Sequence, residues 1–307
     1  MENYFWIKKK YMPIRIKDFG TLFKTTFKEW NRKDPFRQSS VIAYYAIFSM
    51  PGLLVLIIAI TGSIFGKDAV NERIIAEISK TMGASTGLQI KEMLVMASQA
   101  KATLIGSMVG VVVLLIGATG VFIELQKTLD NIWEVKAVPQ KGIVKFIKAR
   151  LFSFGLILAI AFLLLISLVF SAALAAMSNW IKADASAWMA IFFNFINFIV
   201  SLAIISFLFA LMLKILPDAR IKWKHVWLGS LLSGVLFTIG KTALAFYFGK
   251  AQPASLYGAA GSVILILLWV SYSSMIMFFG AEFTAAYAKM FSGTVLPTAI
   301  AKTDNKV

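Results

Sequence analysis

The chain contains no cysteine and a single histidine, and its acidic residues are half as numerous as its basic ones, 15 against 31. Without cysteine there are no disulfides, no thiolate-ligated zinc, no iron–sulfur cluster and no thiol nucleophile, while the redox compartment stays open. With only His225, in the stretch WKHVW, the clustered His and Asp ligands of metal-dependent hydrolysis are missing. No P-loop occurs, and the glycine pairs lack the strand context that nucleotide binding requires. The first residues hold no continuous apolar stretch ending in a small-residue cleavage site, so no removable signal peptide is expected. An enzyme is therefore not expected, nor a cofactor, nor a metal site.

What the chain has in abundance is apolar surface. Hydrophobic residues make up 59% and charged ones 15% of its 307 residues, and the mean hydropathy is +0.78. A water-soluble domain with that composition would be largely apolar outside, so a bilayer is the natural solvent. Six apolar stretches, at about 41–65, 102–123, 151–176, 188–213, 226–248 and 262–286, are each long enough to cross about 30 Å as a helix. The expected fold is an all-α integral membrane protein of six transmembrane helices. One membrane domain fills 41–286, between a basic segment at 1–40 and a tail at 287–307, of which Lys302 to Val307 reads as frayed.

The basic residues are unevenly placed. The segments before span one, between spans two and three, between four and five, and after six carry 10, 6, 4 and 3 Lys plus Arg. The intervening segments carry 5, 1 and 1. The positive-inside rule puts both termini in the cytoplasm. The formal charge of +16 is thereby explained by topology and by attraction to anionic membrane lipids, with no nucleic acid as partner.

Two flanking regions are amphipathic. Phe19, Leu22, Phe23, Phe27 and Trp30 recur at helical spacing with Lys24, Lys28 and Arg32 interleaved, which predicts a basic helix lying in the cytoplasmic interface. After span one, Ile74, Ile75 and Ile78, then a break at Gly83 to Gly87, then Ile90, Met93 and Leu94 predict two short external helices resting on the membrane domain.

Polar groups at bilayer depth are functional candidates because they are costly there. Lys241 lies 15 residues beyond the start of span five, about 22 Å up from the cytoplasmic side. Asn194 and Asn197, three apart on span four, share a helix face at similar depth. An ammonium with two carboxamides suits an anionic headgroup, whereas the plainer reading has the asparagines joining helices and the lysine snorkelling outward. Glu124, Glu282 and Arg150 lie toward the cytoplasmic end and are expected to form interfacial ion pairs, with coupling as the functional alternative. A direct Lys241–Glu282 pair is not expected, because their depths differ by more than about 10 Å. His225 reads as interfacial. Small-residue pairs such as Gly117-x2-Gly120, Gly229-x3-Ser233 and Gly258-x2-Gly261 predict close helix packing. Pro51 in span one removes an amide donor and predicts a kink, with a hinge as its functional reading.

Three blocks then become recognisable: SSVIAYYAIFSMPGLLVL from Ser39, GVFIELQKTLDNIWEV from Gly120 with KARLFSFGLILAIAFLLLISL from Lys148, and the run from Gly229 to Ala286. Together they resemble the YihY/BrkB family of bacterial membrane proteins, once labelled ribonuclease BN. The resemblance implies a six-span inner-membrane protein, with serum resistance and lipid or solute export proposed for members. Its motif positions fall here on Gly240, Lys241, Tyr257 to Ser262 with Gly258 and Gly261, Trp269, Tyr272, and Gly280 to Glu282. Ser271 and Met275 stand where the family often has tyrosine and glutamine, and Asp130 where asparagine is frequent. The expected function is a transporter or flippase for an anionic amphiphile or lipid-linked substrate, not ATP-driven by itself. Lys241, Asn194, Asn197, Tyr257 and Ser262 would hold the headgroup. The alternative is a scaffold of envelope assembly that moves no substrate, and in either case a homo-oligomer is open.

Overall fold

The computed structural model describes residues 16–65, 71–72, 74–76, 78–79, 87–88, 90–92, 95, 104–137, 187–251, 261–291, 298 and 301–303. In chain order the elements are α1 (Ile16–Arg32), α2 (Pro35–Phe65), α3 (Leu104–Ile132), β1 (Val135–Ala137), α4 (Ala187–Ile215), α5 (Trp223–Ala251), α6 (Gly261–Phe291) and β2 (Ala301–Thr303). Helices α2 to α6 run 29 to 31 residues, more than the roughly 20 that a bilayer core requires. Among the described residues, Phe195–Ile215, Trp223–Tyr247 and Val263–Met290 are long and apolar enough to cross a membrane, with mean hydropathies of 2.6, 1.4 and 2.1. Apolar side chains remain exposed along them, including Phe195, Phe198 and Ile199 on α4 and Leu231, Ile239 and Phe246 on α5. Helices satisfy their own backbone groups, so this surface can face lipid. The expected third span, 151–176, lies outside the described residues.

Contacts divide the chain into two compact units. One comprises Met1–Lys33, Gln126–Val235 and Met277–Val307, the other Asp34–Leu125 and Leu236–Ile276. In the first, the centre is the second half of α6, where Met277, Phe278, Ala281, Phe283, Ala285 and Ala288 are buried. Helix α5 crosses it on glycine. A Cβ at Gly229 would meet the Gly280 carbonyl at 2.5 Å, and one at Gly280 would meet the Gly229 carbonyl at 2.9 Å. Both backbones therefore touch, as the Gly229-x3-Ser233 pattern predicts, and its counterpart on α6 is Gly280-x3-Thr284.

Helix α1 packs on the same stretch of α6. Leu22 is buried with Phe283 and Ala286, and the Phe23 ring lies 5.4 Å from that of Phe283. Trp30 stands edge-on to Phe279 at 5.8 Å. Phe19, Phe23 and Phe27 stay at least 40% exposed, so the helix carries a second apolar edge besides the one packed on α6. It stops where Asp34 takes a left-handed backbone, φ 52°, and Pro35 opens α2 at the position where a missing amide hydrogen costs least.

The fold is not purely α. Val135–Ala137 pairs antiparallel with Ala301–Thr303, Lys136 opposite Lys302. The expectation of a frayed tail from Lys302 fails at its first two residues, because these strands satisfy each other's backbone groups.

In the second unit, α2 runs through Pro51 as one helix. Glycines again set the approach of α3 to α2: a Cβ at Gly117 would meet the Ser49 amide nitrogen at 2.9 Å, and one at Gly120 would run into the Tyr45 ring. Helical backbone occurs at 71–72, 74–76 and 78–79 and again at 87–88, 90–92 and 95, where two short helices are predicted. Ile90 and Ile266 form a buried cluster on which Ile47, Met50, Ile74, Ile75 and Ile78 pack, so these segments rest on α2 and α6.

Candidate functional site

The densest polar arrangement lies in the first unit, where α1, α3 and α6 converge. Glu282 is 3% exposed, flanked by buried Ala281 and Phe283, and an isolated carboxylate there would be costly. Its counterion is Lys33, just past α1, whose Nζ lies 2.8 Å from Glu282 Oε1 and also donates to the Ile132 carbonyl at 3.2 Å. Beside this pair Lys289 reaches Glu134 at 2.7 Å. The hydrogen bond from Lys289 holds the Glu134 carboxyl below its usual range, helped by the charges of Lys289, Lys33 and Arg32. Glu134 sits at φ 54°, an uncommon backbone for a non-glycine residue, which turns the chain out of α3 into β1.

On α3's last turn a second acid is enclosed. Asp130 is 7% exposed and accepts from the Asp218 amide at 2.7 Å, tying α3 to the connection between α4 and α5. Burial pushes its pKa up to about 7, with the charge of Asp218 adding and the amide bond opposing. Burial likewise raises Asp218, whose carboxyl is also hydrogen-bonded by Gln126. Lys214 closes the same connection onto the Ile221 carbonyl, and the Thr298 amide donates to the Asp218 carbonyl at 2.9 Å.

Sequence reasoning places Glu282 in an ion pair but looks for its partner at Arg150, which lies outside the described residues. By sequence, Lys33 counts only among the basic residues that set orientation. The signal that marks it is the Lys33-Asp34-Pro35 corner, which ends α1 and leaves the side chain with partners on α3 and α6. Asp130 and Asp218 stand out in sequence only through the departure from asparagine at 130. His225, expected to be interfacial, is 3% exposed, with its ring 5.8 Å from that of Tyr287.

The second unit holds Lys241. It is half-buried on α5, within a helix apolar enough to span, next to Gly240. The Tyr272 hydroxyl donates to the Leu236 carbonyl at 3.0 Å, and a Cβ at Gly240 would run into that hydroxyl. Gly240 is thus what lets the tyrosine reach the α5 backbone one turn before Lys241. Among the described residues Lys241 has no acidic partner. Asn197 belongs to the first unit and is exposed on α4. The side chains of Asn194 and Ser262 lie outside the described residues, as do Tyr257, Gly258 and Arg150. Gly261 is buried at the start of α6, Gly280 at the α5 crossing, and Glu124 is half-buried on α3. Among the described residues no three His, Cys, Asp or Glu side chains gather in a way that could hold a metal.

Long apolar helices with exposed hydrophobic faces, together with an enclosed ion pair, define a helical membrane protein. The chain belongs to the BrkB virulence factor family, whose profile, described as "Virulence factor BrkB", matches residues 26–301. It is similar to a UPF0761 membrane protein of Saccharophagus degradans, 26% identical over 272 residues, 88% of this chain and 60% of that protein. A UPF0761 membrane protein of Teredinibacter turnerae is 25% identical over 286 residues, covering 92% and 64%. One from Mannheimia succiniciproducens is 22% identical, covering 88% and 90%. The chain therefore spans less than two thirds of the first two relatives. No solved structure matches it significantly.

Proposed function

We propose that this protein crosses the bacterial inner membrane six times, with both ends in the cytoplasm, and carries an anionic amphiphile between leaflets. The observation that carries the reading is Lys241. An ammonium in the interior of a spanning helix is costly unless something compensates it. Glu282, the buried acid of α6, already has Lys33, and no acid among the described residues pairs with Lys241. A phosphate headgroup entering from the membrane would supply the missing charge, and a lysine offers it a mobile point charge with three donors. The unequal distribution of Lys and Arg between alternate segments supports the orientation. With no P-loop in the sequence, movement would be passive, ion-coupled or driven by a partner.

The test is headgroup exchange in proteoliposomes containing fluorescent phosphatidylglycerol or phosphatidylcholine, read by dithionite quenching of the outer leaflet. Wild type should speed exchange of the anionic lipid, Lys241→Ala should lower that rate by about tenfold, as loss of a charge-assisted contact implies, and Lys241→Arg should retain most of it. If folded Lys241→Ala exchanges phosphatidylglycerol as fast as wild type, the reading is wrong.

A further inference from the structure

Helices α4 and α5 leave a groove of about 580 Å³ between them within the first unit. Ala203, Ile204 and Phe207 line it from α4, and Trp227, Leu228 and Leu231 from α5. The one hydroxyl among its lining residues is that of Ser206, buried, with an Oγ that has no hydrogen-bond partner among the described residues. The groove has a local cause. At Gly234, α5 lets Ser206 approach so closely that a Cβ could not be accommodated. Toward the other end the rings of Phe207 and Trp227 hold the helices apart, with centroids 6.2 Å from each other. Ala203 fills little of the space between.

The lining positions on α5 continue a helix face. Lys224, Trp227, Leu228 and Leu231 stand at i, i+3, i+4 and i+7, so Lys224 heads the stripe that lines the groove. The distance from Lys224 to Leu231 is about 10 Å along the axis. Lys224, Lys222 and Arg220 are all exposed. Across residues 214–224 the sequence carries four basic side chains and one acid, Asp218, whose carboxyl is bonded by Gln126. Cationic groups at one end of an open apolar slot match a ligand with an anionic head and an alkyl tail. A purely apolar ligand would leave the collar unused, and a free phosphate would leave the slot unused.

We propose that this groove is a binding site for anionic phospholipid, with the phosphate at Arg220, Lys222 and Lys224 and one acyl chain lying along Trp227 and Leu231. The site does not depend on Lys241. Its occupant is a lipid of the surrounding membrane, held long enough to survive extraction.

Purified protein in detergent, exposed to equal amounts of dioleoyl phosphatidylglycerol and dioleoyl phosphatidylcholine, should retain the anionic lipid at least about fivefold better in native mass spectrometry, the effect of one basic residue near an anionic surface. The double variant K222Q/K224Q should lose that preference while binding phosphatidylcholine as before. Filling the slot, by Ala203→Trp or Leu231→Phe, should reduce retention of phosphatidylglycerol, with the thermal midpoint of each variant showing that it folds. The loss caused by K222Q/K224Q should also appear when the pair is changed in a Lys241→Ala background, which assigns it to this groove and not to the exchange site. Equal retention of the two lipids by wild type overturns the proposal. So does wild-type retention in both groove variants, or a protein dimer that Ala203→Trp dissolves, which would make a second copy the occupant.

Discussion

Asp130 shows what one atom changes at an enclosed position. Its Oδ1 takes the Asp218 amide, a task that the asparagine frequent in the family would perform equally well without a titratable proton. The folded chain holds that proton up to about pH 7, while the unfolded value is 3.8, so folding takes up a proton between those limits. The stabilisation from this group is complete at low pH and is lost as pH rises through about 7, by up to about 1.4 kcal/mol per pH unit. Asp130→Asn should therefore melt higher than wild type at pH 8, and the gap should close toward pH 5, as followed by thermal unfolding in detergent. An equal shift at both pH values would mean that titration of Asp130 plays no part. Of this site the sequence shows only that 130 is unusual, since burial and the reach of a loop amide 88 residues away are products of packing.

At the scale of the element, the α5–α6 crossing was half legible. Gly229-x3-Ser233 announces a close approach, but a glycine pattern names no partner, and Gly280 stood out as a family motif position instead. The two helices meet at Gly229 and Gly280 because each removes the side chain that would strike the other's carbonyl. Gly280→Val should destabilise the fold by about 1 to 3 kcal/mol or more, the usual scale of overpacking, whereas Gly20→Ala, with open space around it on α1, should not. Thermal shift of the two variants side by side checks the contrast. The helices themselves were readable because a 20-residue apolar run has few alternatives. The two strands were not, because VKA and AKT are too short to show a period.

For the whole molecule, the lack of cysteine is an experimental convenience. Single cysteines introduced at Lys28, Glu92 and Lys289, all exposed, test the proposed orientation with a membrane-impermeant maleimide. Glu92→Cys should react in intact spheroplasts, and Lys28→Cys and Lys289→Cys only after the membrane is opened. Labelling of Lys28→Cys from outside would reverse the topology. The same variants fold without competing thiols, so labelling reads position alone.

The short ribbon of β1 and β2 has a consequence for biogenesis. Its strands are separated by more than 160 residues of chain, including α4, α5 and α6. During synthesis Val135–Ala137 emerges long before Ala301–Thr303 and stays unpaired while α4, α5 and α6 are made, so closure of the ribbon waits for the chain's own progress. Ribosome-bound intermediates halted before residue 301 will lack this clasp, and protease sensitivity near Lys136 will fall at the point where Thr303 clears the exit tunnel.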